Sequence, residues 1–156
     1  VSNLGFHSFA AIFHQGKNRT IAFRADMDAL PIEEENEFAH RSVNDGISHK
    51  CGHDGHSTIL LGLAEKMAHI RSSVTVVFIF QSSEETGEGA KEILRHPDFT
   101  QLPIDRVYAL HNLPGNDIGH ILCKTGVFCP ASTGIILKVT GQECHAVRAI
   151  GQRRAD

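Results

Sequence analysis

The chain of 156 residues has the length of one ordinary domain, and 41% of it is hydrophobic, which is enough for a globular core. Its formal net charge is -3, and its lysines and arginines are scattered, so it lacks the basic patch of a nucleic-acid-binding protein. No apolar run approaches the roughly 20 residues that span a bilayer, and the N-terminus has no basic region followed by an apolar one. We therefore expect a cytoplasmic protein that binds neither nucleic acid nor membrane.

The first half of the sequence predicts strands, a long loop and a helix. Two short apolar runs, Phe9 to Phe13 and Thr20 to Arg24, flank turn-forming residues and predict a hairpin that enters a sheet. A polar, acid-rich segment from Pro31 to Lys50 has no periodicity and indicates a surface loop. Apolar residues at helical spacing follow, and they predict an amphipathic helix from Ser57 to about Arg71.

The second half continues the alternation of strands and helices. The run VTVVFIF at residues 74–80 is typical of a strand buried on both faces of a sheet. Residues 89–95 are predicted to be helical, and residues 107–110 to form a second buried strand that ends at His111. This alternation predicts an α/β domain, whose functional groups collect at the carboxyl ends of its strands. Residues 134–140 predict a strand that begins a second unit.

Eleven histidines in 156 residues favour a metal site. The stretch KCGHDGH at residues 50–56 brings a thiol and two imidazoles close together, and Gly52 and Gly55 permit backbone conformations that turn neighbouring side chains towards one point. Thiolate, imidazole and carboxylate ligands together suit zinc, and they also admit manganese, cobalt or nickel. His56 is expected to cap the helix or to face solvent. The candidate ligands are Cys51, His53, Glu85 and His111.

Two adjacent acids, Glu84 and Glu85, follow the buried strand. One can coordinate a metal while its neighbour takes a proton from a metal-bound water, whose pKa the metal lowers towards neutrality. Metal-assisted hydrolysis of an amide requires this division of labour. The alternative is an acidic loop in front of a helix, where carboxylates interact well with the helix dipole. Asp26 and Asp28 either accept N–H bonds from ligand imidazoles or bond to local backbone in a turn.

Five stretches of the sequence carry a family resemblance. They are FRADMDALPI (23–32), CGHDGH (51–56), FQSSEETGEGAK (80–91), ALHNLPG (109–115) and GQECHA (141–146). In this order they resemble the motifs of the metal-dependent amidohydrolases that include hippurate hydrolase, N-acyl-amino-acid amidohydrolases (aminoacylases), N-acetyl-diaminopimelate deacetylase and auxin-conjugate hydrolases. The resemblance implies a three-layer α/β catalytic domain of the zinc-aminopeptidase type, at residues 1–130. Residues 131–156 would begin an inserted α+β lid and dimerisation domain.

The resemblance also implies roles for single residues. The family's metal ligands correspond to Cys51, His53, Glu85 and His111, and its general base corresponds to Glu84. Two zinc or manganese ions would lie about 3.5–4 Å apart and bind the attacking hydroxide and the scissile carbonyl oxygen. His145, which spacing alone does not place, matches a lid histidine that helps to stabilise the oxyanion, often in the partner subunit of a homodimer. Asp26 and Asp28 match the family's acidic strand end and are expected to have a supporting role.

The resemblance implies that the substrates are small N-acyl amino acids. It also implies that Glu84 takes a proton from the metal-bound water and passes it to the leaving amine. Family members are longer and have a late histidine ligand without a counterpart here, so we expect a fragment. A metal-binding but catalytically inactive fragment is one alternative, and a related metallopeptidase is another. A thiol-sensing module around Cys51 would need a resolving cysteine nearby and a lowered thiol pKa.

Overall fold

A computed structural model describes residues 1–13, 16, 18–131 and 133–140. The described strands are β1 (Ser2–Asn3), β2 (Phe9–Phe13), β3 (Thr20–Asp26), β4 (Thr75–Gln81) and β5 (Arg106–Ala109). The described helices are α1 (His53–Ala68), α2 (Glu88–Arg95) and α3 (Pro97–Thr100). Strands and helices alternate from β3 onwards, and the predicted α/β class is confirmed.

The five strands form one mixed sheet in the order β1-β2-β4-β3-β5. β4, β3 and β5 run parallel to one another. β2 pairs in antiparallel fashion with β4 on one side and with β1 on the other. In this register Asp26 lies opposite Gln81, and Arg24 lies opposite Ala109. The carboxyl ends of the three parallel strands therefore meet at one edge of the sheet, where the sequence predicts the functional groups to collect.

The predicted hairpin between the second and third strands is wrong, because β4 lies between them. Phe13 pairs with Val76 on one side of β4, and Thr20 pairs with Thr75 on the other. All seven residues of β4 are buried, as predicted, and the most apolar run of the chain takes the centre of the sheet for that reason. The sequence indicated that β2 and β3 run in opposite directions but not that a third strand separates them.

Side chains of β4 alternate between two cores, one on each face of the sheet. Val77 belongs to a core that contains Ile93 of α2. Phe78 and Phe80 belong to the other core, which contains Leu60 of α1. The helices therefore pack on both faces of the sheet, and α1 presents its N-terminus at the edge where β3 ends.

Two further elements differ from expectation. A short helix, α3, occupies part of the segment predicted as a loop after residue 96. β5 is exposed at all four residues, although a buried strand was predicted, because it is the last strand of the described sheet and pairs with β3 on one side only. Apolar residues alone did not distinguish an edge strand from a central one.

Residues 31–50, predicted as a surface loop, contain no helix or strand. Leu30 and Ser48 form an isolated bridge, with N–H to O distances of 3.0 Å in both directions. Glu33 accepts a hydrogen bond of 2.7 Å from the N–H of Gly46. Glu34 forms an ion pair with Lys50. These contacts tie the two ends of the loop together immediately before Cys51.

Replacing Glu34 by glutamine is expected to reduce the acid sensitivity of the fold by a small amount. Its hydrogen bond with Lys50 lowers the pKa of the Glu34 carboxyl from 4.5 to about 2. Because the folded pKa lies below the unfolded one, the stabilisation is present above about pH 4.5 and is lost as the pH falls towards 2. Urea unfolding on either side of this window should show a smaller loss for Glu34→Gln than for the wild type. Glu35→Gln, at an exposed neighbour, is the control, and equal losses in all three proteins would contradict the prediction.

The chain divides into two compact units, Val1–Gly115 and a second that begins at Asn116. Residues 116–131 and 133–140 contain no helix or strand, so the strand predicted at 134–140 is wrong. A strand requires a hydrogen-bonded neighbour, and the described residues of this unit provide none. The assignment of residues 1–130 and 131–156 to two domains stays a prediction. No helix in the described part of the chain combines the length and apolarity needed to cross a membrane.

Candidate metal centre

The candidate site lies where β3, β4 and β5 end and α1 begins. Residues 26–28 lie at the end of β3, residues 82–85 and 110–112 follow β4 and β5, and residues 51–56 lead into the first turn of α1. Potential ligand atoms form two groups, within each of which all atoms lie within 4.8 Å of one another. The groups are Asp26, His53, His56 and His111, and Cys51, His53 and Glu85. His53 belongs to both, and all four predicted ligands belong to at least one.

Helix α1 begins at His53, four residues before the predicted start at Ser57, and its first turn therefore contains both His53 and His56. Gly52 precedes it with a φ of 88°, the left-handed conformation that favours glycine. A Cβ on Gly52 would also lie 3.0 Å from Oδ1 of Asn112, so a larger residue would press on that side chain. Gly55 has ordinary helical backbone, and the conformational freedom predicted for it is not used.

His53 is a fully buried candidate ligand with one free nitrogen. Its Nδ1 donates to Oδ1 of Asp28 at 3.1 Å, whereas its buried Nε2 has no hydrogen-bond partner. Nε2 lies 3.8 Å from Oδ2 of Asp26 and 3.9 Å from Oε1 of Glu85. These distances are too long for hydrogen bonds but close to the roughly 3.4 Å that separates two ligands of one tetrahedral zinc ion. The lone pair of Nε2 therefore fits a divalent ion shared either with Asp26 in one group of ligand atoms or with Glu85 in the other.

Asp28 orients two candidate ligands at once. One carboxylate oxygen accepts the bond from His53, and the other accepts the backbone N–H of Glu85 at 3.1 Å. The bond to Nδ1 fixes the tautomer of His53, so that the lone pair of Nε2 points into the site. Of the two alternatives for Asp28, these long-range contacts favour the orientation of ligands over a local turn.

Asp26 is fully buried and negatively charged. Its Oδ1 accepts a bond of 2.6 Å from Nδ1 of His56, and its Oδ2 accepts one of 2.8 Å from Nη1 of Arg24. Burial on its own would raise the pKa of Asp26, but the hydrogen bond from His56 and the charges of Arg24, His53 and His56 outweigh it and hold the pKa below its ordinary value. The site therefore contains a buried carboxylate beside the free nitrogen of His53.

Cys51 and His111 face each other across the site. Nδ1 of His111 donates to the backbone carbonyl of Asn112 at 2.8 Å, so Nε2 is the acceptor in the 3.5 Å hydrogen bond with Sγ of Cys51. Cys51 is half-buried and His111 is exposed. A thiol and an imidazole nitrogen at this separation are compatible with one metal ion.

Burial raises the pKa of the Cys51 thiol, and the hydrogen bond with Glu85 and the negative charges of Glu85, Glu84 and Asp26 raise it further. A reactive, redox-sensing cysteine needs a lowered thiol pKa. The surroundings of Cys51 therefore do not support the thiol-sensing alternative. A metal ion that binds here must displace the thiol proton.

Glu84 and Glu85 have different surroundings although they are adjacent. They follow Ser83, whose φ of 52° is unusual for a residue other than glycine and turns the chain sharply after β4. The carboxylate of Glu85 approaches His53, whereas the half-buried Glu84 makes no side-chain hydrogen bond or ion pair with the described residues. The charge of Glu84 nevertheless acts on Cys51. One acid thus reaches the candidate ligands while the other is free beside them.

Gly89 holds the turn that carries both acids, and Gly89→Ala is expected to disturb it. A Cβ there would lie 1.7 Å from the carbonyl oxygen of Ser82, which is backbone and cannot rotate away. We expect a loss of about 1–3 kcal/mol in the free energy of unfolding and weaker zinc binding. Gly62→Ala is the matched control, because nothing lies within 4 Å of a Cβ on this helical glycine, and it should stabilise by about 0.4–1 kcal/mol. Equal stability of the two variants would contradict the prediction.

Sequence reasoning missed two residues of the site, His56 and Asn112. The expectation that His56 caps the helix or faces solvent is wrong, because the ring is 1% exposed and bonds to Asp26 and Asn112. The three-residue spacing of His53 and His56 carries the missing signal, since it puts both on one face of a helix that begins at residue 53. No comparable sequence pattern marks Asn112 as part of the site. His145 lies outside the described residues.

The chain is similar to a peptidase family and to proteins described as uncharacterised hydrolases. The model of Peptidase family M20/M25/M40 matches residues 22–149. An uncharacterised hydrolase of Staphylococcus haemolyticus (strain JCSC1435) is 37% identical over 139 residues, which cover 86% of this chain and 36% of that protein. One from Staphylococcus aureus (strain bovine RF122 / ET3-1) is 39% identical over 132 residues, covering 82% and 34%. The chain thus spans about a third of the length of the curated relatives it matches.

A solved structure gives the same relationship. The Bacillus subtilis YXEP protein, described as a dinuclear metal binding peptidase from the M20 family, is similar with a TM-score of 0.67 and 33% sequence identity. The similarity covers 72% of this chain and 32% of that one. Since the family model covers most of the sequence, the chain belongs to Peptidase family M20/M25/M40.

Proposed function

We propose that this chain is the N-terminal part of a metal-dependent hydrolase that cleaves the amide bond of small N-acyl amino acids. The observation that carries the proposal is the buried, unpartnered Nε2 of His53, with the carboxylates of Asp26 and Glu85 at 3.8 and 3.9 Å. The proposal includes a three-layer domain of the zinc-aminopeptidase type and the start of an α+β lid. It also includes a homodimer of the whole protein and a cytoplasmic location.

The chain offers a mixed donor set for up to two divalent ions. The proposed ligands are Cys51, His53, Glu85 and His111. A donor set of thiolate, imidazole and carboxylate suits zinc, and it can also bind manganese, cobalt or nickel. A bound ion would supply Lewis acidity, which polarises a carbonyl group and makes a nearby water more acidic. The description of the YXEP protein as dinuclear supports two ions here.

Glu84 is the proposed general base. Its half-buried carboxylate lies beside Cys51 and is bonded to none of the described residues, so it can accept a proton from water and return it to the leaving amine. Asp28 holds His53 and the backbone of Glu85 in place. For His145, outside the described residues, we propose stabilisation of the oxyanion.

Two alternatives remain close to this proposal. Because the chain spans about a third of its relatives, a metal-binding but catalytically inactive fragment is one of them. A related metallopeptidase is the other, since the YXEP protein is described as a peptidase. Both retain the metal centre and differ from the proposal in turnover or substrate.

The test combines metal titration of the metal-free chain with a screen of amide substrates. The proposal expects uptake of Zn²⁺ or Mn²⁺ and hydrolysis of acetyl- or benzoyl-amino acids in preference to unacylated peptides. Binding without turnover would favour the inactive fragment, and preference for unacylated peptides would favour the peptidase. A folded chain that takes up no ion would contradict the proposal entirely.

A further inference from the structure

We propose that His56 is a positioning residue, which ties the segment carrying His111 to the end of β3 and does not itself bind metal. The inference rests on the proposed metal centre, since it concerns how that centre is held together. Distances alone leave the question open, because ring nitrogens of His56 lie within 4.8 Å of ligand atoms of Asp26, His53 and His111.

Both ring nitrogens of His56 are already occupied by protein partners. Nδ1 donates to Oδ1 of Asp26 at 2.6 Å. Nε2 lies 3.0 Å from the backbone nitrogen of Asn112 and 2.8 Å from its side-chain Oδ1. In the neutral ring Nε2 accepts the backbone N–H, and in the doubly protonated ring it donates to Oδ1. In either state the ring has no lone pair left for a metal ion.

The two neighbouring histidines differ from His56 in this respect. His53 uses Nδ1 for Asp28 and has no partner at Nε2. His111 uses Nδ1 for the carbonyl of Asn112, and the partner of its Nε2 is the thiol of Cys51, which is itself a candidate ligand. Each therefore has Nδ1 held by a residue outside the proposed ligand set, whereas Nε2 is either unpartnered or bonded to another candidate ligand. This is the usual state of a histidine that binds metal, and it separates His53 and His111 from His56.

His56 connects the segment that follows β5 to the end of β3. The short edge strand β5 precedes His111, and all four of its residues are exposed. Asn112 is held by two contacts to the buried ring of His56, which also lies against the ring of His111 with centroids 4.5 Å apart. Because Gly52 has no side chain, there is space beside it for the side chain of Asn112. Through these contacts, the position of His111 relative to Asp26 depends on His56.

The first experiment separates a ligand from a positioning residue in the unaltered chain. Ring nitrogens of ¹⁵N-labelled histidines are followed by NMR while Zn²⁺ is added. We expect the Nε2 resonances of His53 and His111 to move by the large shift of metal coordination, and those of His56 to keep their hydrogen-bonded positions. A coordination shift at Nε2 of His56 would overturn the inference.

The second experiment replaces His56 by phenylalanine, which keeps the ring and removes both hydrogen bonds. Affinity for Zn²⁺, measured by competition with a chromophoric chelator, is expected to fall about 10- to 100-fold. Leu60→Ala is the matched control, because it destabilises the same helix from a buried position one turn further on and touches no candidate ligand. Its affinity should equal that of the wild type when both are folded, as judged by circular dichroism.

The outcomes distinguish this inference from the proposed function. If the folded wild type binds no zinc, both fail. If the wild type binds zinc and His56→Phe binds it as tightly as Leu60→Ala, only the inference on His56 fails. If His56→Phe does not fold, the NMR titration of the wild type still decides whether His56 is a ligand.

Discussion

Replacing Glu84 by glutamine is expected to lower kcat for an N-acyl amino acid by about 10²- to 10⁴-fold and to leave the affinity for Zn²⁺ unchanged. Glutamine has the size of glutamate, but its amide cannot accept the proton from water. The carboxylate of Glu84 belongs to neither group of potential ligand atoms, so its loss should not weaken metal binding. Steady-state kinetics and a chelator competition on the same preparation measure the two effects.

Two further variants sharpen the assignment of Glu84. Glu85→Gln removes an oxygen that lies 3.9 Å from Nε2 of His53, and it should weaken zinc binding itself. Glu88→Gln, at the exposed first residue of α2, should change neither turnover nor affinity. If Glu84→Gln weakened zinc binding as much as Glu85→Gln, Glu84 would be a ligand rather than the base. If zinc-loaded wild type and Glu84→Gln hydrolysed the substrate equally slowly, the inactive fragment would be the better description.

The parts of the fold that follow from local sequence patterns were predictable. β4 is a run of β-branched and aromatic residues, and such a run is stable only where water reaches neither face of the strand. The acids and histidines that follow the strands then come together because parallel strands end at one edge of the sheet. Cys51, His53, Glu85 and His111 could therefore be grouped before any distance between them was known.

The parts that depend on distant contacts were not predictable. Which strand lies at the centre of the sheet depends on competition between strands that are far apart in the sequence. The residues of β2 and β3 alone do not show that β4 lies between them. The start of α1 depends on Gly52, whose left-handed backbone begins the helix four residues before its apolar pattern does. The burial of His56 is a consequence of that early start and of Asn112, which follows β5 and lies 56 residues further along the chain. A single sequence contains no trace of this pairing.

Zinc is expected to stabilise the wild type against unfolding and to have no such effect on His53→Leu. In the metal-free wild type, the buried and unpartnered Nε2 of His53 costs about 1–3 kcal/mol. Leucine removes this cost but also removes the bond to Asp28, and the two changes offset each other, so the metal-free stability should change little. At a free zinc concentration 100 times Kd, the wild type should gain about 2.7 kcal/mol, because the ion binds the folded state.

The comparison of His53→Leu with His69→Leu tests whether this stabilisation comes from the site. His69 is exposed at the other end of α1, so the same substitution there should leave the gain from zinc intact. Urea unfolding with zinc and with a chelator gives the gain for each protein. Because His53 is the residue shared by both groups of potential ligand atoms, its loss should remove the gain completely rather than halve it. A gain in His53→Leu equal to that of the wild type would mean that zinc binds elsewhere on the chain, and the metal centre at the ends of β3, β4 and β5 would have to be abandoned.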